Sequence, residues 1–114
     1  MIKIKDKETL HRLTLQGIFD GMSVKLDPHK SADKNIIAGF RFPDAGEAYT
    51  VHVRHGVAEI QPEFPGNPDI SLTVDSMVWK EMVTGFRSPA LALVKDVDKE
   101  GGIIKIVKFL SLFK

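Results

Sequence analysis

Three consecutive runs, Ile36 to Phe42, Glu47 to Arg54 and Val57 to Gln61, alternate β-branched or aromatic residues with polar ones, and turn chemistry separates them. Alternation of period two puts one set of side chains on each face of a strand. Pro43-Asp44-Ala45-Gly46 supplies the first turn, and His55-Gly56 is a two-residue hairpin loop of residues that tolerate positive φ. An antiparallel meander follows, and everything else in the chain must pack on it. The stretch Pro62 to Pro68 holds three prolines and a glycine, so it cannot pair in a sheet and reads as a crossover loop before a fourth strand, Asp69 to Val74.

The flanking segments switch to helical spacing. Leu15, Ile18, Phe19, Met22 and Leu26 lie on one helical face behind the N-cap Thr14, and Asp27-Pro28 stops that helix. Asp75 or Ser76 caps a second helix with Val78, Trp79, Met82, Val83 and Phe86 on one face and Gly85 near its end. Ser88-Pro89 restarts a short helix with Pro at the favoured first position. Val94 to Lys99 alternates Val with charges and is expected to form an edge strand, and a last helix follows Gly101-Gly102. Residues 1–13 read either as strand (IKIK) or as a helical turn (ETLHRL) and form an open lead-in. This order predicts one α+β domain over residues 1–114, a mostly antiparallel sheet with helices on one face.

Chemistry is sparse. The 114-residue chain has no cysteine, which excludes disulfides, thiol nucleophiles and cysteine-ligated metals. Its 16 basic and 15 acidic residues are interspersed, so no nucleic-acid footprint is expected. No apolar run is long enough to span a membrane, and the charged opening is unlike a secretory signal, which together predict a cytoplasmic protein. His52 and His55, three apart on a strand and its turn, point to opposite faces and cannot converge on one ion unless the turn bends them together, so a solvated strand residue and a turn histidine are expected. Asp96 and Asp98 share a strand face in this reading, but Lys95 and Lys99 flank them as on a solvated edge. No nucleotide loop or serine elbow is present. No catalytic residue, metal or cofactor is therefore expected.

The remaining signal is apolar. In GGIIKIVKFLSLFK only Lys105, Lys108, Ser111 and Lys114 interrupt apolar residues after the glycines. That arc exceeds the stripe a helix needs to lie on one sheet, so the helix must bury a second surface, against another helix, a partner subunit or a ligand in a cleft. Leu110 is expected to face such a cleft and Phe109 to face outward.

These segments resemble a known family. LTLQGIFDGMSVKLDP, FRFPDAGEAYTVHVRHGVAEI, PDISLTVDSMVWKEMVTGFRSPALAL and the closing KFLSLF, together spanning about Leu13 to Phe113, are similar in order and spacing to the C-terminal domain of alkyl sulfatases, within the sterol carrier protein type 2 superfamily. Phe42, Asp44, Glu47 and Tyr49 form a Phe-x-Asp-x-x-Glu-x-Tyr run like the first hairpin of that family. The resemblance implies a five-stranded sheet and an apolar tunnel between sheet and helices that holds a fatty, alkyl or sterol-like ligand. The residues expected to wall it are Phe19 and Met22, then Phe40, Tyr49, Val51 and Leu72, then Trp79, Met82, Val83 and Phe86, and finally Ile106, Leu110 and Phe113. In alkyl sulfatases the chemistry belongs to a separate metal-dependent hydrolase domain, whose His-x-His-x-Asp-His motif this chain lacks. Expected partners are accordingly an apolar small molecule or lipid, with a homodimer or a separate hydrolase subunit as the interaction alternative. The family's Gly-Asp pair after the last strand is replaced here by trailing glycines alone, which leaves the register of that strand open.

Overall fold

His55 has φ of 50° and Gly56 of 83°, the left-handed pair that a tight hairpin between right-twisted strands requires. In the computed structural model, which describes residues 6–113, this turn joins β2 (Glu47–Arg54) to β3 (Val57–Gln61). β1 (Asn35–Phe42) pairs antiparallel with β2, from Asn35 opposite Arg54 to Phe42 opposite Glu47. β4 (Ile70–Thr73) lies parallel to β1 on its other side, and β5 (Asp98–Glu100) closes that edge antiparallel to β4. The sheet order is β3-β2-β1-β4-β5, mixed but mostly antiparallel.

Reaching β4 from the far edge takes the chain across the outer face of the sheet. The proline-rich crossover does more than connect. Phe64 and Pro65 sit on Gly39, where a Cβ would come within 2.7 Å of the Phe64 ring, so glycine is needed to let the loop lie flat. Arg41 stacks its guanidinium 3.6 Å from the Phe64 ring centre, and Thr50 Oγ1 donates to the Glu63 carbonyl at 2.6 Å.

The helices cover the opposite face. α1 (Leu15–Lys25) starts where Thr14 Oγ1 accepts from the Gly17 amide, and it buries Leu15, Ile18, Phe19 and Met22. α2 (Ser76–Thr84) is capped by Asp75 and ends on Gly85 in the left-handed conformation. α3 (Pro89–Lys95) begins behind the Ser88 cap, and α4 (Ile103–Leu110) is the last helix. The lead-in resolves as a 3-10 helix over Lys7–Arg12 that buries Leu10, and residues 1–5 lie outside the described residues.

One expectation is corrected at the far edge. Val94 and Lys95 form the last turn of α3 rather than a strand, because the Ser88 cap and Pro89 start a helix whose inward face, Ala92 and Leu93, is buried. The Val-charge alternation there mimics a strand, whereas only Asp98–Glu100 pairs with β4. Asp96 and Asp98 consequently do not share a strand: Asp96 is the C-cap of α3. The trailing glycine has a defined job. Gly101 has φ of 98°, and a Cβ on it would meet the Asp69 carbonyl at 2.5 Å, so glycine alone lets β5 end against β4 and turn into α4.

Candidate functional site

Packing between the sheet and the first two helices is aromatic. Phe19 stacks on Tyr49 (centroids 4.6 Å apart, 22° between planes) and on Trp79 (5.8 Å, 13°), and it meets Phe40 at 5.0 Å and Phe42 at 5.9 Å nearly edge-on. All five rings are buried. The hairpin motif secures this cluster: Phe42 joins it, Tyr49 donates its hydroxyl to Glu47, and Asp44 accepts from the Ser76 amide and hydroxyl at the start of α2. Burial, reinforced by the Glu47 bond, pushes the Tyr49 phenol up to about 12, so it remains a donor. The Ser76 hydroxyl holds the Asp44 carboxyl below the usual carboxylate range.

Space remains elsewhere. A cleft of about 460 Å³ opens between α2, α3 and α4, within the range of about 300–1,000 Å³ typical of small-molecule sites. α2 contributes Trp79, Met82 and Val83; the α3 segment contributes Ser88, Pro89, Ala90 and Leu93; the last helix and its end contribute Val107, Leu110, Ser111 and Phe113. Sequence periodicity did not single out the α3 residues or Val107 and Ser111. The Ser-Pro helix start was the only local signal for the α3 wall. No strand residue lines the cleft, because the aromatic cluster fills the space beneath the sheet.

Of the residues expected to wall a ligand site, the structure brings Trp79, Met82, Val83, Leu110 and Phe113 together at this cleft. Phe19, Met22, Phe40, Tyr49, Val51, Leu72 and Ile106 are buried in the core behind it. Phe86 lies just past α2 and is partly exposed. Phe109 does not face outward; it is buried, with its ring centre 5.3 Å from that of Phe113. Among the lining residues, Trp79 carries a buried indole N–H that has no acceptor among the described residues.

The wall between α2 and α3 is held by charge. Glu81, buried on α2, accepts from Arg87 Nε at 3.0 Å and Nη2 at 2.6 Å, and pairs with Lys7 at 3.0 Å. Arg87 Nη1 reaches Asp96 at 2.9 Å, which ties the end of α3 back to α2. The Arg87 hydrogen bonds hold the Glu81 carboxyl below its ordinary range against the opposing effect of burial. Breaking one side of a buried pair costs about 3–5 kcal/mol. Solvent access at Arg87 and the surviving Lys7 contact reduce this, so Arg87→Met is expected to lower the urea midpoint at neutral pH by less than the loss of a fully buried pair would. A lowered folded pKa contributes stability above the unfolded carboxylate value and loses it as pH falls through the folded value. The gap between wild type and variant should therefore narrow as pH drops below about 4.5, the unperturbed value for Glu81, and a gap that widened would contradict the pairing.

His52 Nε2 bonds Asn35 Oδ1 and His55 Nδ1 bonds the Ala32 carbonyl. No group of three or more His, Cys, Asp or Glu side chains suited to a metal occurs among the described residues. No helix among them is long and apolar enough to cross a membrane.

The sheet order and the single helical layer define a sterol-carrier-type fold. The chain matches Sterol Carrier Protein 2 from Yarrowia lipolytica with a TM-score of 0.66 at 18% identity, covering 84% of this chain and 86% of that one. The stereoselective inverting sec-alkylsulfatase Pisa1 from Pseudomonas sp. contains the same fold: TM-score 0.82, 18% identity, 91% of this chain and 17% of that one. The profile of the alkyl sulfatase C-terminal family matches residues 3–114, and the chain belongs to that family. A linear primary-alkylsulfatase from Pseudomonas sp. is 36% identical over 107 residues, 93% of this chain and 20% of that protein, so the chain spans a fifth of that relative's length.

Proposed function

We propose that this domain is a non-catalytic binding module that holds the alkyl part of an amphiphilic ligand in the cleft between α2, α3 and α4. The observation that carries this reading is the cleft itself, walled by Met82, Val83, Leu93, Val107, Leu110 and Phe113, with Ser88 and Ser111 as the hydroxyl-bearing residues of its lining. Trp79, Met82, Val83, Leu110 and Phe113 would touch the ligand, while Phe19, Met22, Phe40, Tyr49, Val51, Leu72 and Ile106 stiffen the wall from behind. Names of relatives agree in kind: an alkylsulfatase acts on an alkyl ester, and a sterol carrier protein holds an apolar molecule. On this reading, hydrolysis in such relatives belongs to the part this chain does not match.

Titration with a series of fatty acids of increasing length, followed by emission of Trp79, the only tryptophan, tests the proposal. Each methylene buried is worth roughly 0.8 kcal/mol, so affinity should rise about fourfold per added carbon until the cleft is full. Native mass spectrometry should show co-purified acyl or alkyl ligand. Affinity independent of chain length, or no saturable binding, would refute the reading.

A further inference from the structure

The rim of the cleft has a composition of its own. On α3, Leu91 and Val94 are one turn apart and 60% and 63% exposed; on α4, Ile104 and Val107 are 69% and 47% exposed. Val107 also lines the cleft, so this apolar face borders its mouth. Lys95 on α3 and Lys105 and Lys108 on α4 are exposed and without an ion pair among the described residues; Lys105 and Lys108 also border a second hollow with Lys34 and Asp69. Neither helix contains an acidic residue, in a chain that otherwise balances 16 basic with 15 acidic side chains. Asp96, which caps α3, is already bonded to Arg87.

We infer that this face of α3 and α4 docks on an anionic lipid surface, with the cleft mouth held at the level of the acyl chains. Helices that carry exposed branched apolar side chains and lysines but no acidic residue are what an interface needs: the apolar residues enter the headgroup boundary, and the lysine stems lie along it with their ammonium groups at the phosphates. Charge complementarity selects this occupant. A second copy of the chain paired about a two-fold axis on the same face would set lysines against lysines. Docking stands apart from the ligand proposal, since Leu91 and Ile104 lie outside the cleft lining.

Flotation with vesicles of phosphatidylcholine alone, and with about a third phosphatidylglycerol, provides the test. Wild type should bind the anionic vesicles, weakly bind the zwitterionic ones, and release as salt rises. Lys105→Gln with Lys108→Gln should weaken anionic binding about 25-fold, fivefold per lysine. Leu91→Ser with Ile104→Ser should abolish it yet leave fatty-acid affinity in solution at the wild-type value, which separates failure of docking from failure of ligand binding. Three results would overturn the inference: wild type that ignores anionic vesicles, a Leu91/Ile104 variant that still binds them, or a wild-type dimer or hydrolase complex that this variant dissociates.

Discussion

Phe19→Ala is expected to destabilise the fold by about 4 kcal/mol, the loss typical of truncating a fully buried phenylalanine. Phe19 is fully buried, and it contacts four other rings between 4.6 and 5.9 Å. Removing it deletes the transfer energy of the ring and leaves a cavity. It also forfeits aromatic contacts worth roughly 0.5–1.5 kcal/mol a pair. Collapse is resisted on both sides, since Tyr49 is anchored by Glu47 and β1 is pinned between β2 and β4. Phe19→Leu, which keeps part of the volume but also forfeits the ring contacts, should lose less than Phe19→Ala. Urea denaturation followed by Trp79 emission measures both, because Trp79 stacks on Phe19. A loss under about 1 kcal/mol for Phe19→Ala would mean the cluster is not packed as described. Total stability for a domain of this size is about 5–15 kcal/mol, so the variant should remain folded but visibly weaker.

Leu110→Asp should eliminate ligand binding while preserving the fold. Leu110 lines the cleft and is only partly buried, so a carboxylate there stays hydrated in the empty protein. A bound alkyl chain would strip that water, and an unpaired ionised carboxylate without solvent costs several kcal/mol. Affinity should fall more than about 100-fold. Circular dichroism and urea midpoint establish that the variant is folded, and fatty-acid titration then reads the effect. A folded Leu110→Asp protein with unchanged affinity would place the ligand elsewhere.

The cleft was only half legible in the sequence. Met82, Val83 and Trp79 stand at helical spacing that marks an inward face, but the same spacing marks core and cleft alike. Phe40, Tyr49, Val51 and Leu72 were expected at a wall between sheet and helices; they are core residues of that layer, where Phe40 and Tyr49 belong to the ring cluster that fills the space. Periodicity reports which face is apolar and is silent on how much volume opposing side chains occupy. The Arg87 link from Glu81 to Asp96, which holds α3 against α2, bridges residues six and nine apart through a turn. No helical or strand period marks such a pair.

Local chemistry was enough for the order of elements and most of their ends. Thr14, Asp75 and Ser88 cap helices because their side chains meet amides a few residues away, and His55-Gly56 makes a hairpin by its own backbone preferences. Family membership was also readable, since it rests on ordered motifs. Tertiary structure alone decided that β4 inserts parallel beside β1, that Val94 stays helical, and that the open volume lies among helices rather than under the sheet. Those outcomes depend on competition between distant surfaces for the same burial. Five large rings claimed the space under the sheet first, and the wide apolar arc of α4 was left to line a cleft and face outward.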